Sequence, residues 1–102
     1  MSFDMETWAA YMQRKVRDEN QSLGITEKTK VFVNPSRKTK YAKVVIENSG
    51  KQRVLCFIER STGNIYKPVS STGAGKHVQG DINDPDGSWK HAVDPYASTY
   101  AA

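Results

Sequence analysis

Cysteine is almost missing: Cys56 is the single one in 102 residues. An intrachain disulfide is therefore excluded, and with it the stapled framework of many small secreted domains. The two histidines, His77 and His91, stand far from Cys56 in sequence, so no recognised zinc spacing forms. Cys56 itself lies between Leu55 and Phe57, the setting of a small buried hydrophobe. No serine sits in a Gly-x-Ser-x-Gly elbow, and no pair of carboxylates stands out for acid–base work. Long apolar runs are also lacking; nothing approaches the roughly 18 residues needed to span a membrane. The opening stretch, MSFDMETWAAYMQRK, has acids where a signal peptide has bases and no apolar central region. The expectation from these absences is a protein without catalytic residues, metal or cofactor, working in a reducing cytoplasm.

Two stretches look like ligand loops and fail on inspection. Ser71-Thr72-Gly73-Ala74-Gly75-Lys76-His77 has the Gly-Lys of a phosphate loop. Such a loop needs a glycine five residues before Gly75, where Ser70 stands, and a hydroxyl after Lys76, where His77 stands. It reads as a polar loop in which Lys76 is at most a lone phosphate contact. Asp81, Asn83, Asp84 and Asp86 before Gly87 resemble a calcium loop. Setting Gly87 at the sixth position of an EF-hand puts Ile82 first and Val93 twelfth, where oxygen ligands are required. Asp84-Pro85-Asp86-Gly87 is a turn by its residue types.

What the chain does have fits one small domain, with 37 % hydrophobic and 25 % charged residues. Met5, Trp8, Met12, Val16 and Leu23 recur at helical spacing, which predicts an amphipathic helix over 4–22 with Asp4 or Ser2 as N-cap and Gly24 as its stop. A β-meander is expected over 30–67. Its strands are 30–34, 40–47, RVLCFIE at 53–59 and a short run at 65–67 ended by Pro68, with turns at Asn48-Ser49-Gly50-Lys51 and Ser61-Thr62-Gly63-Asn64. Alternation puts Val54, Cys56 and Ile58 on one face, under Trp8, Met12 and Val16, and Leu55 and Phe57 on the other. Residues 69–102, rich in Gly, Ser, Asp and Pro, read as an irregular extended arm with one helical turn after Asp94. The fold class is α+β: an N-terminal helix packed on a three- to four-stranded antiparallel sheet, with a C-terminal arm.

The net charge of +4 is concentrated. Residues 27–60 hold nine cations against three acids, a net of +6, while the flanking segments each net −1. Within that basic middle, Arg37-Lys38-Thr39-Lys40-Tyr41-Ala42-Lys43 places a ring among cations. Surfaces that hold single-stranded nucleic acid combine a charged track with stacking rings. The candidate nucleic-acid site is therefore Arg37, Lys38, Lys40, Tyr41, Lys43 and Arg53, with Lys76 as an added phosphate contact. Lysines on a hairpin also keep a strand edge from aggregating. The competing reading is a protein–protein module that docks a host or virion protein, or a second copy of itself, through the second apolar sheet face and the aromatic tail. Salt dependence separates the two, because phosphate contacts weaken steeply with salt.

Cys56-Phe57-Ile58-Glu59-Arg60-Ser61-Thr62-Gly63-Asn64-Ile65-Tyr66-Lys67-Pro68, followed by Gly75-Lys76-His77 and Gly80-Asp81-Ile82, resembles small bacteriophage-encoded proteins. Those share a strand, a T-G-[DN]-[IV]-Y-K turn, a lysine-containing loop and a Gly-[DN]-Ile ending. Thr62, Gly63, Asn64, Ile65, Tyr66, Lys67, Lys76, Gly80, Asp81 and Ile82 match. Where many of them carry Trp-Lys after the position of Pro68, this chain has Val69-Ser70-Ser71. The resemblance implies a phage accessory protein in the cytoplasm of an infected bacterium and no particular activity. If the loop around Lys76 is no nucleotide site, ATP and GTP turnover will be at background for both the wild type and Lys76→Ala; turnover that depends on Lys76 refutes the reading.

Overall fold

The computed structural model describes residues 4–24, 28–34, 40–70, 73–94 and 100. Helix α1 runs Met5–Ser22 and begins where the Asp4 carboxylate accepts the Thr7 N–H at 2.7 Å. That bond satisfies one of the donors a helix start leaves open and holds the Asp4 carboxyl below its ordinary pKa. Trp8, Ala9, Met12 and Val16 form the buried stripe. The stripe ends one turn earlier than its spacing predicts. Asn20 is the buried residue of the last turn, and Leu23, expected on the apolar face, is 64 % exposed.

Five strands follow: β1 Thr29–Val33, β2 Tyr41–Asn48, β3 Lys51–Glu59, β4 Asn64–Pro68 and β5 Ala74–Asp81. They form one antiparallel sheet in chain order, with each strand paired to its sequence neighbours. The expected sheet of three to four strands thus gains a member from what was read as an irregular arm. Ala74–Asp81 carries two glycines and a single β-branched residue, so its composition hides it. It is a strand because β4 offers it a ladder, with Ile65 opposite Gly80 and Tyr66 opposite Val78. The C-terminal stretch also supplies a 3₁₀ turn, Ser88–Lys90. The helical turn expected after Asp94 lies outside the described residues.

Ser49 and Gly50 both take positive φ, 49° and 83°, between the paired residues Asn48 and Lys51. This is the two-residue hairpin whose twist matches the flanking strands, and the Ser-Gly pair permits it. A second local irregularity reorganises the sheet. Val44 pairs with Cys56, and Val45 pairs with Val54, so Leu55 has no opposite residue and β3 bulges there. The bulge reverses alternation for everything before it. Cys56 and Ile58 face the helix as expected, but Leu55 joins them in the core with Trp8, Met12, Val16, Val31, Val44, Ile46, Ile65 and Ile82. Val54, expected in that group, lies opposite Val45 on the other face and is fully buried there.

The helix also closes one side of the sheet. Gln13 Oε1 accepts the Val31 N–H at 3.4 Å on β1, and Asn20 Nδ2 donates to Thr29 Oγ1, whose hydroxyl donates to Asn48 Oδ1 at 2.6 Å. A buried amide is thereby given a partner. The segment after β5 returns to the helix. Trp8 Nε1–H donates to the Trp89 carbonyl at 3.1 Å, Lys15 Nζ donates to the Lys90 carbonyl, and the Tyr11 and Trp89 rings meet edge to face at 5.1 Å. Tyr100 in turn accepts the Val54 N–H at 2.8 Å. Burial pushes the Cys56 thiol far above its ordinary pKa, which keeps the reactive thiolate unpopulated in the folded state.

The residues of the T-G-N turn knit two loops together. The Gly63 N–H donates to Glu59 O, Gly63 O accepts from Ile82, and Asn83 Nδ2 donates to Thr62 O. Gly63 has φ 81°, and a Cβ there would lie 2.5 Å from Asn83 Nδ2 and 2.9 Å from Ile82 Cγ1. Gly50 has the same φ sign and open space around it. Replacing either by alanine strains the backbone by about 1 kcal/mol or more. Gly63→Ala is expected to lose clearly more than Gly50→Ala in urea unfolding, because it must also part the two loops; equal losses would refute the junction.

Candidate nucleic-acid interface

Strand β2 carries the candidate site, because its alternation sends Ala42, Val44 and Ile46 toward the helix and Tyr41, Lys43 and Val45 to the opposite face. Pairing continues that face across the sheet. Lys43 stands opposite Phe57, Phe57 opposite Tyr66, and Tyr66 opposite Val78. A cross-strand row Lys43–Phe57–Tyr66–Val78 results, about 14 Å wide at roughly 4.8 Å per strand. Lys76, two residues before Val78 on β5, is exposed, and the β4–β5 register is irregular between Val78 and Ala74. The stretch that imitates a phosphate loop is therefore in part a strand, and it brings Lys76 to the sheet as a single cation.

Two rings sit in this face. Tyr41 and Tyr66 are half-buried and meet edge to face, with centroids 5.6 Å apart. Such pairs hold each other's orientation. Lys40 lies at the margin, with its Nζ 5.4 Å from the Tyr41 ring centre and 3.4 Å from Glu59 Oε2. Thr62 Oγ1 donates to the other Glu59 oxygen at 2.7 Å. The Thr62 hydroxyl first and Lys40 next hold the Glu59 carboxyl below its ordinary pKa, and Glu59 raises that of Lys40. The Glu59 carboxylate thus fixes the end of the T-G-N turn to the start of β2. Among the described residues Lys43 and Lys76 form no ion pair.

Of the six residues expected to form the nucleic-acid site, Lys40, Tyr41 and Lys43 come together. Arg53 does not. The bulge at Leu55 sets Arg53 opposite Ile46, on the face the helix packs against, where it is exposed at the margin. Arg37 and Lys38 lie outside the described residues. Lys76, expected only as an added contact, is exposed on β5, two residues from Val78. Tyr66 was not singled out from the sequence; its signal was present in Ile65-Tyr66-Lys67, where the buried Ile65 leaves the ring pointing the other way. The far end of the β1–β2 ladder has only a shallow depression lined by Lys28, Lys30, Glu47, Ser49 and Gly50. Among the described residues no cluster of three or more His, Cys, Asp or Glu could hold a metal ion, and no helix is long and apolar enough to cross a membrane. The carboxylates after β5 are engaged with their own loop. The Ser88 side chain first, then the Asp86 and Ser88 N–H groups, hydrogen-bond to Asp84 and keep its pKa low, and Asp81 accepts from the Asn83 N–H.

The family model of a family of unknown function (DUF7717) matches residues 5–99, and the chain belongs to that family. No curated protein and no solved structure matches it.

Glu59 binds its proton less readily folded than unfolded, so its stabilising effect is complete above its ordinary pKa of 4.5 and is lost as pH falls through the lower folded value. Glu59→Gln is expected to flatten this acid limb in urea unfolding between about pH 5 and pH 3. An unchanged limb would show that the Thr62 and Lys40 contacts do not persist in solution.

Proposed function

We propose that this member of the DUF7717 family is a non-enzymatic accessory protein of phage origin that binds nucleic acid through the sheet face opposite the helix. The observation that carries the reading is the Tyr41–Tyr66 pair, part-buried beside Lys40 and Lys43, with Lys76 exposed on β5. Rings supply stacking that is indifferent to base identity, and lysines supply phosphate contacts. This reading differs from the basic hairpin expected from sequence in leaving out Arg53 and adding Tyr66, and it keeps Lys76 as an added phosphate contact. The phage origin rests on the T-G-N-I-Y-K and Gly-Asp-Ile residues, which build the junction between the β3–β4 turn and the loop after β5. A host bacterial cytoplasm is the corresponding location.

A protein–protein role has one specific support: Val69 and Val78, 60 % and 52 % exposed, lie on and beside β5. The two readings part on charge. Reversing Lys43 and Lys76 to Glu is expected to weaken binding to DNA or RNA in fluorescence anisotropy. It should also flatten the log–log salt dependence by about one unit per lost phosphate contact. Arg53→Glu, on the other face, is the control for the general attraction of a protein of pI about 9.3 to polyanions. Equal losses from Arg53→Glu, or no binding by the wild type at low salt, would refute the nucleic-acid reading and favour the protein partner.

A further inference from the structure

Building on that reading, we propose that the ligand is single-stranded, with a base stacked at the Tyr41–Tyr66 pair and a phosphate on Lys43. Two observations argue against a duplex in the same place. Major-groove readers insert a helix or a two-stranded ribbon. Helix α1 has its apolar stripe in the core, and its outer residues mix Arg14 and Arg17 with Glu6, Asp18 and Glu19. The rings, for their part, are set into the sheet rather than projecting from it, half-buried and braced against each other. A base must leave its stack to reach them, which a single strand does at little cost and a paired duplex does not.

Lys43 stands two residues from Tyr41 on β2, opposite Phe57, which pairs with Tyr66. Lys43 forms no ion pair among the described residues, whereas Lys40 is held by Glu59. Lys40 therefore positions Tyr41 more than it binds phosphate. The contacts read base faces and phosphates and not the sugar, so DNA and RNA strands bind alike.

The test uses the full chain with fluorescein-labelled oligo-dT and oligo-rU of about 16 residues, the upper end of the footprint of a small single-strand-binding domain. A blunt duplex of the same length runs beside them. Both single strands are expected to bind and the duplex to bind at least about tenfold more weakly. Tyr66→Leu, which keeps apolar volume and removes the ring, should weaken the single strands about 5- to 150-fold, the range for one stacked base. The same variant should leave the weak duplex binding unchanged, and Tyr66→Phe should retain wild-type affinity. Thermal unfolding confirms that each variant is folded; if Tyr66→Leu is not, Tyr41→Leu carries the same readout. Duplex bound as tightly as oligo-dT, or a folded Leu variant that binds oligo-dT like the wild type, overturns the single-strand assignment while leaving nucleic-acid binding standing. Absence of binding by every probe at low salt overturns both.

Discussion

The unmatched Leu55 in the middle of β3 is the constraint on which the rest of the sheet depends. A strand in regular register must choose between two sets of side chains, and a one-residue slip exchanges them. β3 is apolar on both sides from Val54 to Ile58, so regular pairing would leave one of its sets poorly matched. The bulge removes the conflict. It lets Leu55 share the helix side with Cys56 and Ile58 and releases Val54 to the far side with Val45 and Phe57. Both halves of the sheet then have buried apolar centres, and the chain before the bulge is displaced by one face. Arg53 goes with it, which is why the cations of the basic middle do not gather on one surface.

The far face owes its character to what remains after that sorting. Its apolar centre is buried at Val45, Val54 and Phe57, and Tyr100 is hydrogen-bonded to Val54. Around that centre the chain places Tyr41, Tyr66 and Lys43, each part-buried. Lys40 lies over the Tyr41 ring and is anchored by Glu59, which also holds Thr62, and Thr62 and Gly63 are tied to Asn83 and Ile82.

Much of this was legible in the sequence. The helix, its Asp4 cap, the Asn48–Lys51 turn and the four strands through Pro68 follow from spacing and residue type, and the structure places them within a residue or two of those bounds. Three things were not legible. β5 has weak strand propensity of its own and exists through its pairing with β4. The bulge is set by packing on both faces at once, a tertiary condition that no local pattern records. Leu23 continued the apolar period of the helix on paper, but the chain turns at Gly24 before that side chain reaches the sheet, and Asn20 finds its partner in Thr29 instead. The placement of the basic residues followed the same lines. Tyr41 and Lys43 share a face as strand alternation implies, whereas the bulge sets Arg53 on the other face, and the strand that carries Lys76 was hidden.

Strand order and chain order coincide in this sheet, and that shapes how the molecule comes together in time. Each hairpin closes over a short stretch, so its entropic cost is small and its pairing can form early. The bond from Trp8 to the Trp89 carbonyl is different in kind, since it joins positions 81 residues apart. The Trp8–Trp89 clasp therefore carries a larger loop-closure cost than any of the hairpins.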